Sequence, residues 1–287
     1  MKKISERKIG IGSFAFRYAI ARRGKFPAGG MEPEDFILRA ADLGYGGVQL
    51  CENLDYEDLP DERIEELGSL AASRGLFVEL GMRNLTRERF FKHIRLAEKM
   101  KAGFLRVVIG DNRPLPETRP EETANEVIPL LREALPAISD TGITVGIENH
   151  FDVPNETILR IVREAAHPRL GIVMDTTNCL GFLKAPGETL EALGPHLLSL
   201  HVKDYEIRKA EGGYLVHGVL LGKGRADPAA LIGRALSFNP GASIILEMSL
   251  RREEGMEGDE LLAWEQRNVE ENTKILFDII ARIPHES

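Results

Sequence analysis

Four side chains able to bind a metal close four short apolar runs in the second half of the chain. The run 143–150 breaks into Glu148, Asn149 and His150, Asp175 ends 170–175, His201 lies in 197–204, and Glu247 ends 243–247. Three carboxylates and one imidazole form an oxygen-rich donor set that suits a divalent cation, Mn²⁺ first, with Mg²⁺, Co²⁺ or Zn²⁺ as alternatives. An acid at one strand end is ordinarily a solvated loop residue. Four such ends carrying the right residue types are different, because burying three acids together without a cation is costly. The expectation is that Glu148, Asp175, His201 and Glu247 converge on one ion.

The elements that must position them follow from periodicity. In a strand, side chains alternate between faces. Thr144, Gly146, Glu148 and His150 therefore share a face, as do Val173 and Asp175, then Ser199, His201 and Lys203, and finally Ile245 and Glu247. Upstream, apolar runs at 8–14, 48–51, 76–82 and 104–109 read as four more strands. Between them, 3.6-residue periodicity marks helices opening at 32–35 and spanning 61–74, 86–101 and 121–139. Pro129 and Pro136 are expected to bend or break the last of these. Further helices fall at 156–166, 187–193, 228–236 and 261–283. Eight strands alternate with eight helices, and no linker or composition break divides the chain. That pattern predicts one α/β domain over residues 1–287, a (β/α)8 TIM barrel with its active site at the carboxyl ends of the strands. A doubly wound sheet is disfavoured, since no Gly-x-Gly-x-x-Gly loop follows an early strand.

At these strand ends the chain resembles a known family. Gly-Ile-Glu148-Asn-His, Met-Asp175-Thr-Thr-Asn, Leu-His201-Val-Lys-Asp and Leu-Glu247-Met look like the metal-ligand segments of the xylose-isomerase-like barrels, the sugar-phosphate isomerase/epimerase group. Residues 221–227, Leu-Gly-Lys-Gly-Arg-Ala-Asp, resemble that family's Gly-x-Gly-x-x-Asp turn. The resemblance implies a metal-dependent isomerase or epimerase of a small sugar or keto-polyol. Such an enzyme chelates a carbonyl and its neighbouring hydroxyl and moves a proton through an enediolate. Glu148 and Glu247, three strands apart, would ligate and also transfer protons from opposite faces of the substrate. Asp175 and His201 would be plain ligands. Loss of a β-hydroxyl at the same site would instead make a dehydratase of an inosose-like or dehydroshikimate-like substrate.

Other residues are candidates for the substrate's surroundings. Lys203, one pleat beyond His201, could stabilise an enolate or act as an acid, or simply pair with a carboxylate. His150 shares the face of Glu148. Asn178 stands three after Asp175, where relatives carry His or Asn, and is a candidate for a substrate hydroxyl. Arg106 is the one charge in an apolar fourth strand and needs a partner, either substrate or Glu148. His217 lies in the excursion 205–220, which could cover the mouth as a lid. Phe14, Phe16 and Tyr18 could wall the pocket or belong to the core. No role is assigned to His93, His167, His196 or His285.

Composition excludes several classes. The chain has 43% hydrophobic and 29% charged residues among 287 and a formal charge of −8, which disfavours a nucleic-acid partner. No run suits a membrane span, and the amino terminus has no signal-peptide core. Cys51 and Cys179 alone build neither a disulfide framework nor a thiolate site, and read as reduced buried thiols in a cytoplasmic protein. An endonuclease IV-type site is disfavoured: the second and third strand ends, Cys51-Glu52-Asn53 and Gly81-Met82-Arg83, lack histidine. A non-catalytic binding barrel remains the other class, and a homo-oligomer is left open.

Overall fold

The computed structural model describes residues 7–20, 30–110 and 119–284. Residues 21–29 of the first excursion and His285 lie outside the described residues. Strands β1 (Ile9–Gly12), β2 (Gly47–Leu50), β3 (Phe77–Arg83), β4 (Phe104–Val108), β5 (Thr144–Glu148), β6 (Leu170–Asp175) and β7 (Leu197–Val202) run parallel and side by side. An antiparallel hairpin follows, β8 (Asp204–Ala210) with β9 (Gly213–Val219). Strand β10 (Ser243–Leu246) then slots between β7 and β1 and closes the barrel.

Among the described residues, eight α-helices cover the strands: α1 (Pro33–Asp42), α2 (Asp61–Ser73), α3 (Arg87–Met100), α4 (Pro120–Thr141), α5 (Asn155–Ala165), α6 (Pro186–Leu193), α7 (Pro228–Phe238) and α8 (Gly258–Arg282). Their ends follow local chemistry. A capping box between Glu32 and Asp35 opens α1, with Pro33 in the first turn. Thr86 caps α3 and Asp227 caps α7, each side chain accepting an N–H three residues on. Gly142, at φ +71°, takes the left-handed turn that ends α4.

The expected break in α4 does not occur. Pro129 and Pro136 sit inside one helix of 22 residues. Both face solvent, seven residues apart on one side. The carbonyls they leave without an N–H partner, four residues upstream, meet water there instead of the core.

The barrel interior becomes more polar towards its carboxyl end. Phe77 and Phe104 fill the lower end, the former against Gly47, whose missing Cβ makes room for the ring. Above them Gln49 donates to Glu79 at 2.9 Å, and Ser199 pairs with Ser243 at 2.8 Å. Burial holds the Glu79 carboxyl above its ordinary pKa, against the pull of hydrogen bonds from Ser243 and Gln49. Next comes Arg106, with Gly81 and Gly146 opposite it in register; their missing side chains leave room for Cys51 on one side and for Phe104 and Val173 on the other. A register shift between β6 and β7 puts Ser199 opposite Val173 and His201 opposite Asp175. No described helix is long and apolar enough to cross a membrane.

Candidate active site

Successive places in the ring, β5, β6, β7 and β10, deliver Glu148, Asp175, His201 and Glu247 to the carboxyl end of the barrel, all of them buried. Glu148, Asp175 and His201 each offer a ligand atom within 4.8 Å of the others. Glu247 stands against the same imidazole, its Oε1 at 3.3 Å from His201 Nδ1. The Nδ1 of His201 is 3.8 Å from Glu148 Oε2.

The strand ends are braced rather than loose. Asn149 reaches from β5 to β6, accepting from the Asp175 amide at 2.5 Å and donating to its carbonyl at 3.2 Å. Asp175 Oδ1 accepts from the amides of Thr177 and Asn178 and from the Thr177 hydroxyl, at 2.8, 3.0 and 2.9 Å. That turn fixes the carboxylate and leaves Oδ2 facing the cluster. Gly12 at the end of β1 lies beside Glu247, where a Cβ would come 3.1 Å from Cγ.

Cations occupy both flanks. Lys203 Nζ bridges Asp175 Oδ2 and Glu247 Oε2, at 2.6 Å each. Burial works against the charge on all three groups, yet their mutual attraction prevails. It holds Lys203 above its ordinary pKa and both carboxylates below theirs. On the other side Arg106 Nε donates to Glu148 Oε2, while its Nη1 is 3.1 Å from Glu52 Oε2. Asn178 Nδ2 donates to Glu148 Oε1 at 3.0 Å. Both oxygens of Glu148 are thus engaged.

The hydrogen-bond ledger of the cluster is incomplete. Among the described residues, neither ring nitrogen of His201 makes a hydrogen bond and neither does Glu247 Oε1, although all three atoms are buried and Nδ1 and Oε1 lie 3.3 Å apart. Buried polar atoms are normally satisfied, and an imidazole that makes no hydrogen bond from either nitrogen is a costly arrangement. A divalent cation accepting lone pairs from His201, Glu148, Asp175 and Glu247 would satisfy it. The donor set is the hard, oxygen-rich kind such ions take.

The remaining candidates divide. Lys203, Arg106 and Asn178 join the cluster. His150 does not: its Nδ1 is 3.5 Å from Asp152 Oδ1, and its ring packs edge-on against Phe151. His217 is on β9, with Nε2 at 3.7 Å from Glu206. It lines a cavity of about 1020 Å³ at the barrel mouth, with Tyr18, Phe151, Tyr205, Leu215 and Arg251 also in the wall. The excursion 205–220 is therefore a hairpin that forms one side of this cavity. Tyr18 belongs to the wall, whereas Phe16 is a core residue packed on Phe36.

Two residues of the network carry no sequence signal of their own kind. Glu52 follows β2 at a strand end where only histidine would be diagnostic. Asn149 is adjacent to Glu148 and reads as a plain loop residue. For Glu52 a usable signal existed: a buried Arg106 flanked by strands needs more than one carboxylate to balance its fork of donors.

A family profile described as xylose isomerase-like TIM barrel matches residues 37–271. A 3-oxo-isoapionate decarboxylase from Pectobacterium atrosepticum is 29% identical over 225 residues, 78% of each chain. Among solved structures, a D-psicose 3-epimerase from Clostridium cellulolyticum H10, in crystals with D-tagatose, superposes with a TM-score of 0.72. It is 15% identical, with 96% of this chain and 99% of that one covered. A xylose isomerase-like TIM barrel protein from Mycobacterium smegmatis, in complex with magnesium, superposes at 0.64 and 17% identity over 86% of this chain and 89% of that one. At these identities the structural likeness is one of fold.

Proposed function

Because this chain belongs to the xylose isomerase-like TIM barrel family, we propose that it is a divalent-metal-dependent enzyme that isomerises or epimerises a small sugar or keto-polyol. The observation that carries this reading is the cluster itself, with two orphaned imidazole nitrogens and one orphaned carboxylate oxygen among three buried acids. Glu148, Asp175, His201 and Glu247 would hold the ion, Mn²⁺ in our reading. When bound, it supplies Lewis acidity that polarises a carbonyl and acidifies the adjacent C–H.

The chain's own residues then divide the work. Glu247, whose Oε1 makes no hydrogen bond, would take a proton from carbon and return it. Glu148 has both oxygens accepting hydrogen bonds and is held as a ligand. Return of the proton by Glu247 to the neighbouring carbon on the same face is aldose–ketose isomerisation. Epimerisation needs a second base on the opposite face, so Glu148 would have to release Asn178 or Arg106. Lys203, between Asp175 and Glu247, can donate to the oxygen on which negative charge develops. The mouth cavity, with Tyr18, His217 and Arg251 in its wall, would hold the rest of the substrate.

A second reading, decarboxylation of a small 3-oxo acid, is favoured by the 29% identical relative that carries that activity in its name. Loss of CO₂ from such an acid leaves an enolate that needs one proton on carbon and a nearby cation. Lys203 fits the latter role.

Purified chain reloaded with Mn²⁺ and offered aldoses, ketoses and 3-oxo sugar acids separates the readings by ¹³C NMR. The expected outcome is conversion of at least one aldose or ketose, lost after chelation and restored by the ion. Release of CO₂ from the 3-oxo acids, without turnover of any neutral sugar, would replace the first reading by the second. No turnover in either panel would contradict both.

A further inference from the structure

One buried carboxylate next to the site has no part in the chemistry above. Glu52 is 8% exposed at the side chain and each of its oxygens takes a different arginine: Oε1 accepts from Arg83 Nε at 2.8 Å, and Oε2 faces Arg106 Nη1 at 3.1 Å. Arg106, 2% exposed, passes the contact on to Glu148. Four alternating charges therefore run inward from the third strand end to the cluster: Arg83, Glu52, Arg106, Glu148. The guanidinium of Arg106 is shared between two carboxylates, and whatever alters one contact alters the other. A fork of N–H donors fixed in one plane can serve a different carboxylate from each of its nitrogens in this way.

We propose that Glu52 is a positioning residue that, by drawing on Arg106, sets how firmly Glu148 is held and so how strongly the cluster binds its divalent cation. The proposal rests on the metal-dependent reading given above. With Glu52 ionised, Arg106 divides its attraction, and Glu148 Oε2 keeps lone-pair capacity for a metal. Neutralising Glu52 leaves Glu148 as the only carboxylate on Arg106. The guanidinium then competes fully with the cation for that oxygen. Neutralising Arg83 acts in the opposite sense: Glu52 turns its whole charge on Arg106 and draws it away from Glu148. Partners behind ligating side chains ordinarily change metal affinity by 10–100-fold on removal.

The test is a Mn²⁺ titration of the full chain, stripped of metal, read from the electron paramagnetic resonance of free Mn²⁺, so no substrate is needed. Glu52→Gln is expected to weaken Mn²⁺ binding about tenfold or more, Glu52→Asp to restore most of it, and Arg83→Gln to tighten it. A residue that merely stabilises the fold would move both neutral variants in the same direction. A long-range field would give the same signs as the proposal, so a double-mutant cycle decides between them. In an Arg106→Met background, which removes the shared guanidinium and leaves any long-range field of Glu52 in place, the Glu52→Gln effect is expected to disappear. Its persistence there would overturn the proposal, as would unchanged or parallel shifts in Glu52→Gln and Arg83→Gln. If Glu52→Gln does not fold, Arg83→Gln, at a 15% exposed side chain, still decides: looser or unchanged binding overturns the proposal. Failure of the wild-type chain to bind Mn²⁺ at all would instead overturn the metal-dependent reading, and this inference with it.

Discussion

At the scale of single residues, the candidate site is crowded enough that one methyl group should disturb it. Glu247 lies against Gly12, and an alanine there would place its Cβ 3.1 Å from Glu247 Cγ, tighter than most contacts tolerate. Glu247 is pinned on its other side by Lys203, so the carboxylate must shift by a few tenths of an ångström. Gly12→Ala is expected to lower kcat by roughly tenfold or more, since small displacements at a reacting group are expensive. The melting temperature should change little. Circular dichroism melts alongside steady-state rates check both halves; a full-rate variant would mean that Glu247 does not transfer the proton. Residues of this kind differ in how far a sequence reveals them. Glu148, Asp175, His201 and Glu247 stood out because each closes a short apolar run with the same sort of donor. Glu52 closes a run too, but as a lone acid it is indistinguishable from a solvated one until Arg106 is seen beside it. His150 shows the converse. Alternation put it on the face of Glu148, yet the strand ends at Glu148 and the next residues turn its ring to Asp152 and Phe151.

At the scale of elements, helix α8 does more than close the chain. Glu265, buried in it, receives the amides of Tyr18 and Ala19 at 2.9 and 2.8 Å, and Trp264 beside it packs against Tyr18. The carboxylate thus anchors the segment leaving β1, from which Tyr18 enters the mouth cavity. Burial pushes the Glu265 carboxyl up to about 7, against the pull of those amides and of Arg17. A group whose folded pKa exceeds its ordinary 4.5 binds its proton more strongly when folded. Its contribution to stability is therefore complete below about pH 4.5 and fades as pH rises to 7. Integrated over that window it amounts to about 3 kcal/mol. Glu265→Gln should remove this slope: between pH 5 and 7 the unfolding free energy of the wild type should fall relative to that of the variant. Chemical denaturation at several pH values measures it, and parallel curves would contradict the assignment. Elements were more legible than anchors. Most strands and helices announced themselves by period, to within a few residues at their ends. The hairpin of β8 and β9 did not, because its exposed side chains, among them Tyr214, Leu215 and Val216, follow no burial pattern. Its one local signal was the pair Gly212-Gly213, the former at φ +75° in the turn. The uninterrupted α4 was hidden for a different reason: proline penalties depend on which side of the helix meets water.

At the scale of the whole molecule, ring closure gives the cluster its meaning. Four strand ends separated by up to 99 residues along the chain, from Glu148 to Glu247, become neighbours because β10 inserts between β7 and β1. Around them Glu148, Asp175, Glu247 and Glu52 face Lys203, Arg106 and Arg83, four negative charges against three positive. A surplus negative charge and orphaned imidazole nitrogens at the same spot are what a cation would relieve. That the ring would close could be inferred from eight alternating units. How the interior charges would pair could not, since pairing depends on register and on glycines that leave space. On the proposed function, this end of the barrel binds one divalent ion through Glu148, Asp175, His201 and Glu247. The most direct measurement is the metal content per chain, by mass spectrometry of the chelated, Mn²⁺-reloaded and desalted protein, for the wild type and for His201→Ala. One Mn²⁺ per wild-type chain and a small fraction of that in the folded variant are expected. Equal loading of the two, or none in either, would contradict that reading.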